Sequence, residues 1–167
     1  MDIKKVKQVL LEAESSCWLA GEEGEIWRTT SMSPGQTRYQ KYAGSYFYID
    51  EYHGNLNFVG METITLDDQN IWGRSYYGIT SPTSDYTKEM ILDSVRKGRA
   101  RFISDLWNGA AELQCLLPDN LIFVIGFPNP DNVSFERFLY HEWISDDTEE
   151  SKKEVLFHRI CAGGIIK

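Results

Sequence analysis

Two stretches with the same pattern decide the fold: FVGMETI at residues 58–64 and FLYHEWI at residues 138–144. Both fit F-x-x-x-E-x-I, and an acidic turn, a second apolar run and a glycine follow each copy. Side chains alternate between the two faces of a strand, so the Phe, Glu and Ile of each copy share a face. The repetition predicts two related β-units with one core, in which Glu62 and Glu142 occupy equivalent positions.

The surrounding sequence predicts an α+β fold. Hairpin-length turns join the predicted strands and favour antiparallel pairing. Apolar residues recur at helical spacing over residues 3–16, and a helical segment at about 84–107 has a candidate N-cap at Ser84. We therefore expect a curved antiparallel sheet of six or more strands, on which the N-terminal helix and the central helical segment pack. The sheet is predicted to consist of two pseudo-repeated three-stranded β-units, at about 46–78 and about 121–166.

The length and composition favour one β-rich domain over residues 1–167. An apolar fraction of 42% in 167 residues is enough for a full core. The aromatic fraction of 13% is typical of pleated sheets, and it would also suit a pocket wall. The net charge of −8 argues against direct nucleic-acid binding, which needs clustered Lys and Arg. The one basic cluster, at residues 96–101, is too short to change that expectation.

No pattern for a metal, a cofactor or a membrane anchor is present in the sequence. The three cysteines form no C-x-x-C pair, and the three histidines show no H-x-x-H spacing, so we expect no metal and no cofactor. The N-terminus lacks the apolar core of a signal peptide, and no run approaches the ~20 apolar residues of a membrane span. We expect a cytoplasmic protein that does not bind a membrane.

The two repeated glutamates are the first candidates for a site. If the Phe and Ile of each copy face the core, Glu62 and Glu142 also point inward, which costs several kcal/mol unless they are paired. One interpretation is a structural ion pair with an arginine of a neighbouring strand, for which Arg74, Arg137 and Arg159 are available. The other is a carboxylate that faces a ligand.

Aromatic residues extend this candidate site. Tyr46, Tyr48 and Tyr52 share a face with Asp50. With Trp72 and Tyr76 they would form an aromatic wall or, alternatively, the partly wet outer face of the sheet. We predict no catalytic and no metal-binding residue. The predicted ligand-binding residues are Tyr48, Glu62, Trp72, Arg74, Tyr76 and Glu142.

Five motifs lie along the chain: SPG at residues 33–35, YFYIDEY at 46–52, FVGME at 58–62, the stretch from Trp72 to Gly78, and AGGIIK at 162–167. In combination they resemble a bacterial domain family of unknown function. Members of this family occur alone or fused behind helix-turn-helix DNA-binding domains. No such helix pair precedes residue 17, so the resemblance implies the standalone form. It implies a fold and little chemistry, and the second repeat has Tyr140 where the family pattern implies a glycine.

Three function classes remain open. We expect first a small-molecule-binding or sensing module with an unknown ligand, an aromatic pocket and an inward-facing carboxylate. The second is an acidic interaction, inhibitor or immunity-type factor that masks a basic protein partner through residues 22–25 and 146–150. The third is a hydrolase or lyase with Glu62 as general base and Glu142 as its acid partner. No nucleophile motif supports catalysis, so binding is favoured over an enzyme.

Overall fold

The computed structural model of the chain describes residues 1–20, 28–29, 34–107, 112–129, 134–146 and 154–166. These ranges contain two helices and nine strands. In chain order they are α1 (Ile3–Ser16), β1 (Arg28–Thr29), β2 (Gln36–Ala43), β3 (Tyr46–Gly54), β4 (Asn57–Leu66), β5 (Gln69–Thr80), α2 (Lys88–Phe102), β6 (Glu112–Leu117), β7 (Leu121–Gly126), β8 (Arg137–Asp146) and β9 (Val155–Ile165).

The nine strands form one antiparallel sheet in the order β1-β2-β3-β4-β5-β9-β8-β7-β6. Tight turns connect the successive strands β2, β3, β4 and β5, and a short connection joins β6 to β7. Strands β5 and β9 pair with each other in the middle of the sheet. The nine strands include the six of the two predicted units, and β1, β2 and β6 lie outside the predicted bounds of these units. Burial alternates along β6, with Glu112, Gln114 and Leu116 exposed, but the exposed Leu116 breaks the polar–apolar alternation of the sequence, so the strand was not predicted.

Helix α1 forms where the sequence predicts it. The Asp2 carboxylate caps its N-terminus by accepting from the backbone N–H of Lys4 at 2.9 Å. An apolar stripe along the helix turns toward the sheet and is buried: Val6, Val9, Leu10 and Ala13. The helix therefore covers the sheet with the face that its periodicity predicts.

Helix α2 is shorter than predicted and does not start after Ser84. The Thr83 hydroxyl accepts from the backbone N–H of Tyr86 and holds residues 83–86 in a turn. The helix begins one turn later, where Thr87 accepts from the N–H of Met90. It ends at Phe102, and residues 103–107 form turns. The prediction of Ser84 as the N-cap was wrong, because the hydroxyl of Thr83 makes a local turn and that of Thr87 caps the helix instead.

The core lies between the two helices and the inner face of the sheet. Side chains from both halves of the sheet are completely buried there, including Ile64, Trp72, Phe123, Tyr140 and Phe157. Helix α2 contributes Ile91 and Val95. Within the described ranges, neither helix is long and apolar enough to cross a membrane.

Gly98 sets how closely α2 approaches the sheet. A Cβ atom at this position would lie 2.3 Å from Cγ of Phe123. Replacing a helical Gly with Ala normally stabilises a helix by up to about 1 kcal/mol. Here we expect Gly98→Ala to lower the free energy of unfolding by about 1–3 kcal/mol, measured by urea denaturation, because the core is overpacked.

The neighbouring variant Ala100→Gly is the control for this prediction. Ala100 is exposed on the same helix, so Ala100→Gly measures the propensity effect alone and should destabilise by about 0.5–1 kcal/mol. A Gly98→Ala protein more stable than wild type would contradict the close packing of α2 on β7.

Candidate functional site

Four carboxyl groups and three arginines lie buried between the helices and the inner face of the sheet. We call this set the buried charge cluster, and each member is at most 6% exposed. Removing charges from water costs several kcal/mol per ion unless they are paired and hydrogen-bonded. The members of the cluster are Glu14, Asp50, Glu62, Arg74, Arg99, Glu142 and Arg159.

Glu14 of α1 joins the helices to the sheet. Its Oε1 accepts from Nη2 of Arg99 at 2.7 Å, and it also pairs with Arg74. Burial opposes the ionisation of Glu14, but the two guanidinium groups outweigh it and lower its pKa to about 2. Arg74 in turn pairs with Glu62 and donates to the hydroxyl of Tyr140 at 2.7 Å.

Glu142 lies at the other end of the cluster and is completely buried. Its Oε2 accepts from Nε of Arg159 at 2.8 Å, and its Oε1 accepts from Arg99. Burial opposes its ionisation, but Arg159 and Arg99 hold its pKa below the ordinary value. Glu142 is therefore an ionised anchor for both arginines.

Asp50 lies directly opposite Glu62 on neighbouring strands, and the two side chains share the inner face. The Tyr76 hydroxyl donates to Oδ1 of Asp50 at 2.6 Å. Burial, together with the nearby charge of Glu62, raises the pKa of Asp50 to about 8. Burial also raises the pKa of Glu62, against the opposing effect of Arg74. Among the described residues, buried Oε2 of Glu62 has no hydrogen-bond partner.

A cavity of about 510 Å³ opens at this carboxyl pair. It lies between the inner face of the sheet, the end of α1 and one side of α2. Asp50, Glu62 and Glu14 line it together with Arg99 and Arg159. Its aromatic walls are Trp18, Tyr48, Tyr52, Phe58, Tyr76 and Phe157.

Three of the six predicted ligand-binding residues line this cavity: Tyr48, Glu62 and Tyr76. The other three are outside its lining. Trp72 stacks on Phe135 with ring centroids 5.5 Å apart, Arg74 lies behind Glu62, and both oxygens of Glu142 are held by arginines. The carboxyl group that lies opposite Glu62 is that of Asp50, not that of Glu142.

Sequence reasoning missed Glu14 and Arg99. Both were detectable, because each is a charged residue within the apolar stripe of its helix. Glu14 follows Leu10 by four residues, and Arg99 follows Val95 by four. A charge in that position is buried when the helix packs, so it needs a partner across the interface.

The outer face has a second, more open concavity of about 580 Å³ next to Trp143. His141 and His158 lie there side by side, with Nδ1 of the first 3.1 Å from Nε2 of the second. In the part of the chain that the structure describes, no group of three or more His, Cys, Asp or Glu side chains is arranged to hold a metal ion.

The fold and the cavity define an α+β protein with an antiparallel sheet and an internal polar cavity. A family model described as a domain of unknown function, DUF5680, matches residues 50–107. This span runs from β3 to the end of α2 and its turns, and it contains Asp50, Glu62, Arg74, Tyr76 and Arg99. The match thus contains both carboxyl groups and half of the residues that line the cavity, and it leaves α1, β1, β2 and β6 to β9 outside.

Two curated relatives are similar over a longer stretch. They are the guanylate kinases of Ehrlichia ruminantium strains Gardel and Welgevonden, each 27% identical over 139 residues. The aligned region covers 81% of this chain and 60% of each kinase. The chain thus spans about 60% of the length of these relatives. No solved structure matches the chain.

Removing the charge of Glu142 tests the cluster as a stabilising unit. We expect Glu142→Gln to lower the free energy of unfolding by about 3–5 kcal/mol, because Arg99 and Arg159 lose a buried counter-charge. Asp93→Asn, in the exposed pair of Asp93 with Lys97, should cost less than about 1 kcal/mol. Equal losses in urea denaturation would contradict the account of the cluster.

The raised pKa of Asp50 predicts how stability depends on pH. The unfolded chain releases this proton near pH 4, whereas the folded protein holds it to about pH 8. The folded state therefore binds more protons in this window, and Asp50 makes stability fall as pH rises from 5 to 8. Asp50→Asn should remove this contribution, so its stability relative to wild type rises by about 1 kcal/mol per pH unit.

Denaturation curves at pH 5, 6, 7 and 8 check this slope. The control is Asp68→Asn, an exposed turn residue with positive φ that Asn also tolerates. Its stability difference from wild type should stay constant over the range. If Asp50→Asn behaves in the same way, Asp50 is ionised in the folded protein and the assignment is wrong.

Proposed function

We propose that the chain is a small-molecule-binding or sensing module whose ligand enters the cavity beside Asp50 and Glu62. The observation that carries this proposal is the buried Oε2 of Glu62, which has no hydrogen-bond partner among the described residues, in a side chain that lines a cavity of about 510 Å³. An acceptor without a partner costs about 1–3 kcal/mol in the folded protein. A ligand that donates to this oxygen would recover that energy.

The size and lining of the cavity support a small organic ligand. Ligand pockets in proteins have volumes of about 300–1,000 Å³ and combine apolar walls with a few polar groups that orient the ligand. Here Tyr48, Tyr52 and Phe58 would contact an apolar body, and the carboxyl pair would orient a polar group. Arg74 would act behind Glu62, as its support, rather than as a direct contact.

A sensing role follows because a ligand in the cavity would contact both helices. Glu14 of α1 and Arg99 of α2 both line the cavity and both belong to the buried charge cluster. A ligand at this position would bias how the two helices sit on the sheet. The family that the sequence resembles, with bacterial members fused behind helix-turn-helix domains, would use such a change to control DNA binding.

We also propose that the two halves of the sheet arose by duplication. In the first half, Phe58 pairs with Gly78 and Glu62 with Arg74. In the second half, Phe138 pairs with Gly163 and Glu142 with Arg159. In the first half the Phe58 ring fills the space where Gly78 has no side chain, while in the second half this space at Gly163 is shared by the Phe138 ring and the backbone of Gly73. The two F-x-x-x-E-x-I copies would then have diverged, one toward the cavity and one toward a structural ion pair.

The other two function classes stay predictions. Of the two acidic surfaces suggested for a basic protein partner, residues 22–25 and 147–150 lie outside the described residues, and Asp146 is buried. For a hydrolase or lyase, Asp50 would replace Glu142 as the partner of Glu62. The guanylate kinase likeness does not enter the proposal, because these 167 residues contain no G-x-x-x-x-G-K-[ST] phosphate loop.

A thermal-shift screen of wild-type protein against nucleotides, sugars and metabolites tests the proposal. A ligand at a hundred times its Kd should add about 2.7 kcal/mol of stability and raise the Tm. Glu62→Gln should fold, because Arg74 keeps Glu14 as a partner, but it should lose most of the ligand-induced shift.

Glu51→Gln is the matched control for that screen. Glu51 neighbours Asp50 but faces the other side of the sheet, where it pairs with Arg38. This variant should keep the full shift. A shift of equal size in wild type and Glu62→Gln would place the ligand elsewhere, and a screen without any hit would count against the binding function.

A further inference from the structure

We propose that the cavity takes an organic cation, with an amine or amidinium head between Asp50 and Glu62 and a flat apolar body against the tyrosines. This inference rests on the proposed binding function and names its ligand class. It follows from the balance of buried charge, from the positions of the open acceptors and from the aromatic residues beside them.

The buried charge cluster contains one more carboxyl group than it has arginines. Glu14, Glu62 and Glu142 are each paired with guanidinium groups. Asp50 is not: among the described residues, its hydrogen bond comes from the neutral hydroxyl of Tyr76. A fully ionised cluster therefore lacks one positive charge, and that deficit lies at Asp50.

The open acceptors lie at the same place. Oε1 of Glu62 accepts from Arg74, while its buried Oε2 has no partner among the described residues. Oδ1 of Asp50 accepts from Tyr76, which leaves the second oxygen for a ligand. Two carboxyl groups on adjacent strands thus offer acceptors to a head group that only donates, and charge-assisted hydrogen bonds of this kind are the stronger ones.

Aromatic rings border this position. Tyr48 and Tyr52 alternate with Asp50 along β3, share its face and line the cavity. A cation that lies against such rings gains about 0.5–2 kcal/mol. The guanidinium of Arg159 already lies 5.4 Å and 5.8 Å from the ring centroids of Tyr76 and Trp18, so a second cation at these rings would be repelled. The head group therefore belongs on the Tyr48 and Tyr52 side.

The basic residues of the cavity do not create an anion site of comparable strength. Arg99 and Arg159 are neutralised by Glu14 and Glu142. Lys88 is partly exposed and bonded to Asn55, and Arg28 is exposed. The part of the cavity at Asp50 and Glu62 therefore carries carboxyl groups without a free counter-charge among the described residues, and an anion bound there would contact both of them.

Binding of a cation is coupled to the proton of Asp50. The ionisable groups that face Asp50 from neighbouring elements are Tyr39 of β2, Glu62 of β4, Arg74 and Tyr76 of β5, Arg159 of β9 and Cys17 after α1. With a pKa of about 8, Asp50 holds its proton at pH 7, and a cationic head displaces it. Binding at pH 7 should release about 0.9 proton, and the affinity should fall about tenfold from pH 7 to pH 6.

Three probes of the same shape test the ligand class: 2-naphthamidinium, 2-naphthamide and 2-naphthoate. They carry a positive, a neutral and a negative head on one flat body. Calorimetric titration at pH 7, in two buffers with different protonation enthalpies, gives both the Kd and the number of protons released. We expect the amidinium to bind at least tenfold more tightly than the amide, and the carboxylate to bind most weakly.

Two variants test whether the cationic head group binds at Asp50. Asp50→Asn should abolish the proton release and the pH dependence and weaken amidinium binding, while it retains the fold and the weak binding of the amide. Glu51→Gln, on the opposite face, should bind all three probes as wild type does. Amidinium binding that Asp50→Asn leaves unchanged, with proton release intact, would place the head group away from Asp50 and overturn the proposal.

The results with the three probes distinguish a wrong ligand class from a wrong binding function. If the amide or the carboxylate binds as tightly as the amidinium, the cation class is wrong while the cavity still binds small molecules. If the amidinium does not bind, the cation class is equally wrong, and hits of other chemistry in the wider screen then decide whether the binding function stands.

Discussion

The ion pairs of Glu14 fix how the helices sit on the sheet. This one carboxylate, on α1, accepts from Arg74 of the central strand β5 and from Arg99 of α2. Helix α1, helix α2 and the sheet therefore meet at a single buried point. A shift of either helix along its axis would displace a guanidinium from its carboxylate and leave a buried charge without a partner. The cost of such a loss, several kcal/mol, makes one arrangement strongly preferred.

The cavity is a consequence of this arrangement. The cluster holds both helices on the inner face of the sheet, and the cavity lies beside Asp50 between this face, the end of α1 and one side of α2. The wall nearest the cluster is polar, and the walls farther along the strands are aromatic. Structure and proposed chemistry are linked through charge: three arginines neutralise three glutamates, and the fourth carboxyl group is at the cavity.

The sequence predicted the parts of the fold in which one periodicity dominates. The two F-x-x-x-E-x-I copies predicted β4 and β8, and the short turns after them predicted antiparallel pairing. The apolar stripe from Ile3 to Ala13 predicted α1. It could not resolve β6, whose residues are mostly half-buried or exposed, or the start of α2, where Thr83 and Thr87 compete as caps.

For the site, strand alternation placed Tyr48, Glu62 and Tyr76 on the inner face, where they line the cavity. It could not distinguish the roles of Glu62 and Glu142, because both occupy the same place in the repeated pattern. The difference comes from Arg99, which reaches Glu142 from a helix far away in the sequence. Asp50 was identified only as part of an aromatic wall, since its importance depends on a count of buried charges that requires the fold.

The most direct test of this account is the ionisation state of Asp50, followed by NMR through the ¹³Cγ shift of labelled aspartate, with Asp50→Asn to assign the signal. The account predicts a transition near pH 8 in the free protein, and an ionised carboxylate at pH 7 when 2-naphthamidinium is bound. An Asp50 that titrates near its ordinary value of about 4 would contradict it, because the cluster would then carry its extra negative charge without a compensating cation.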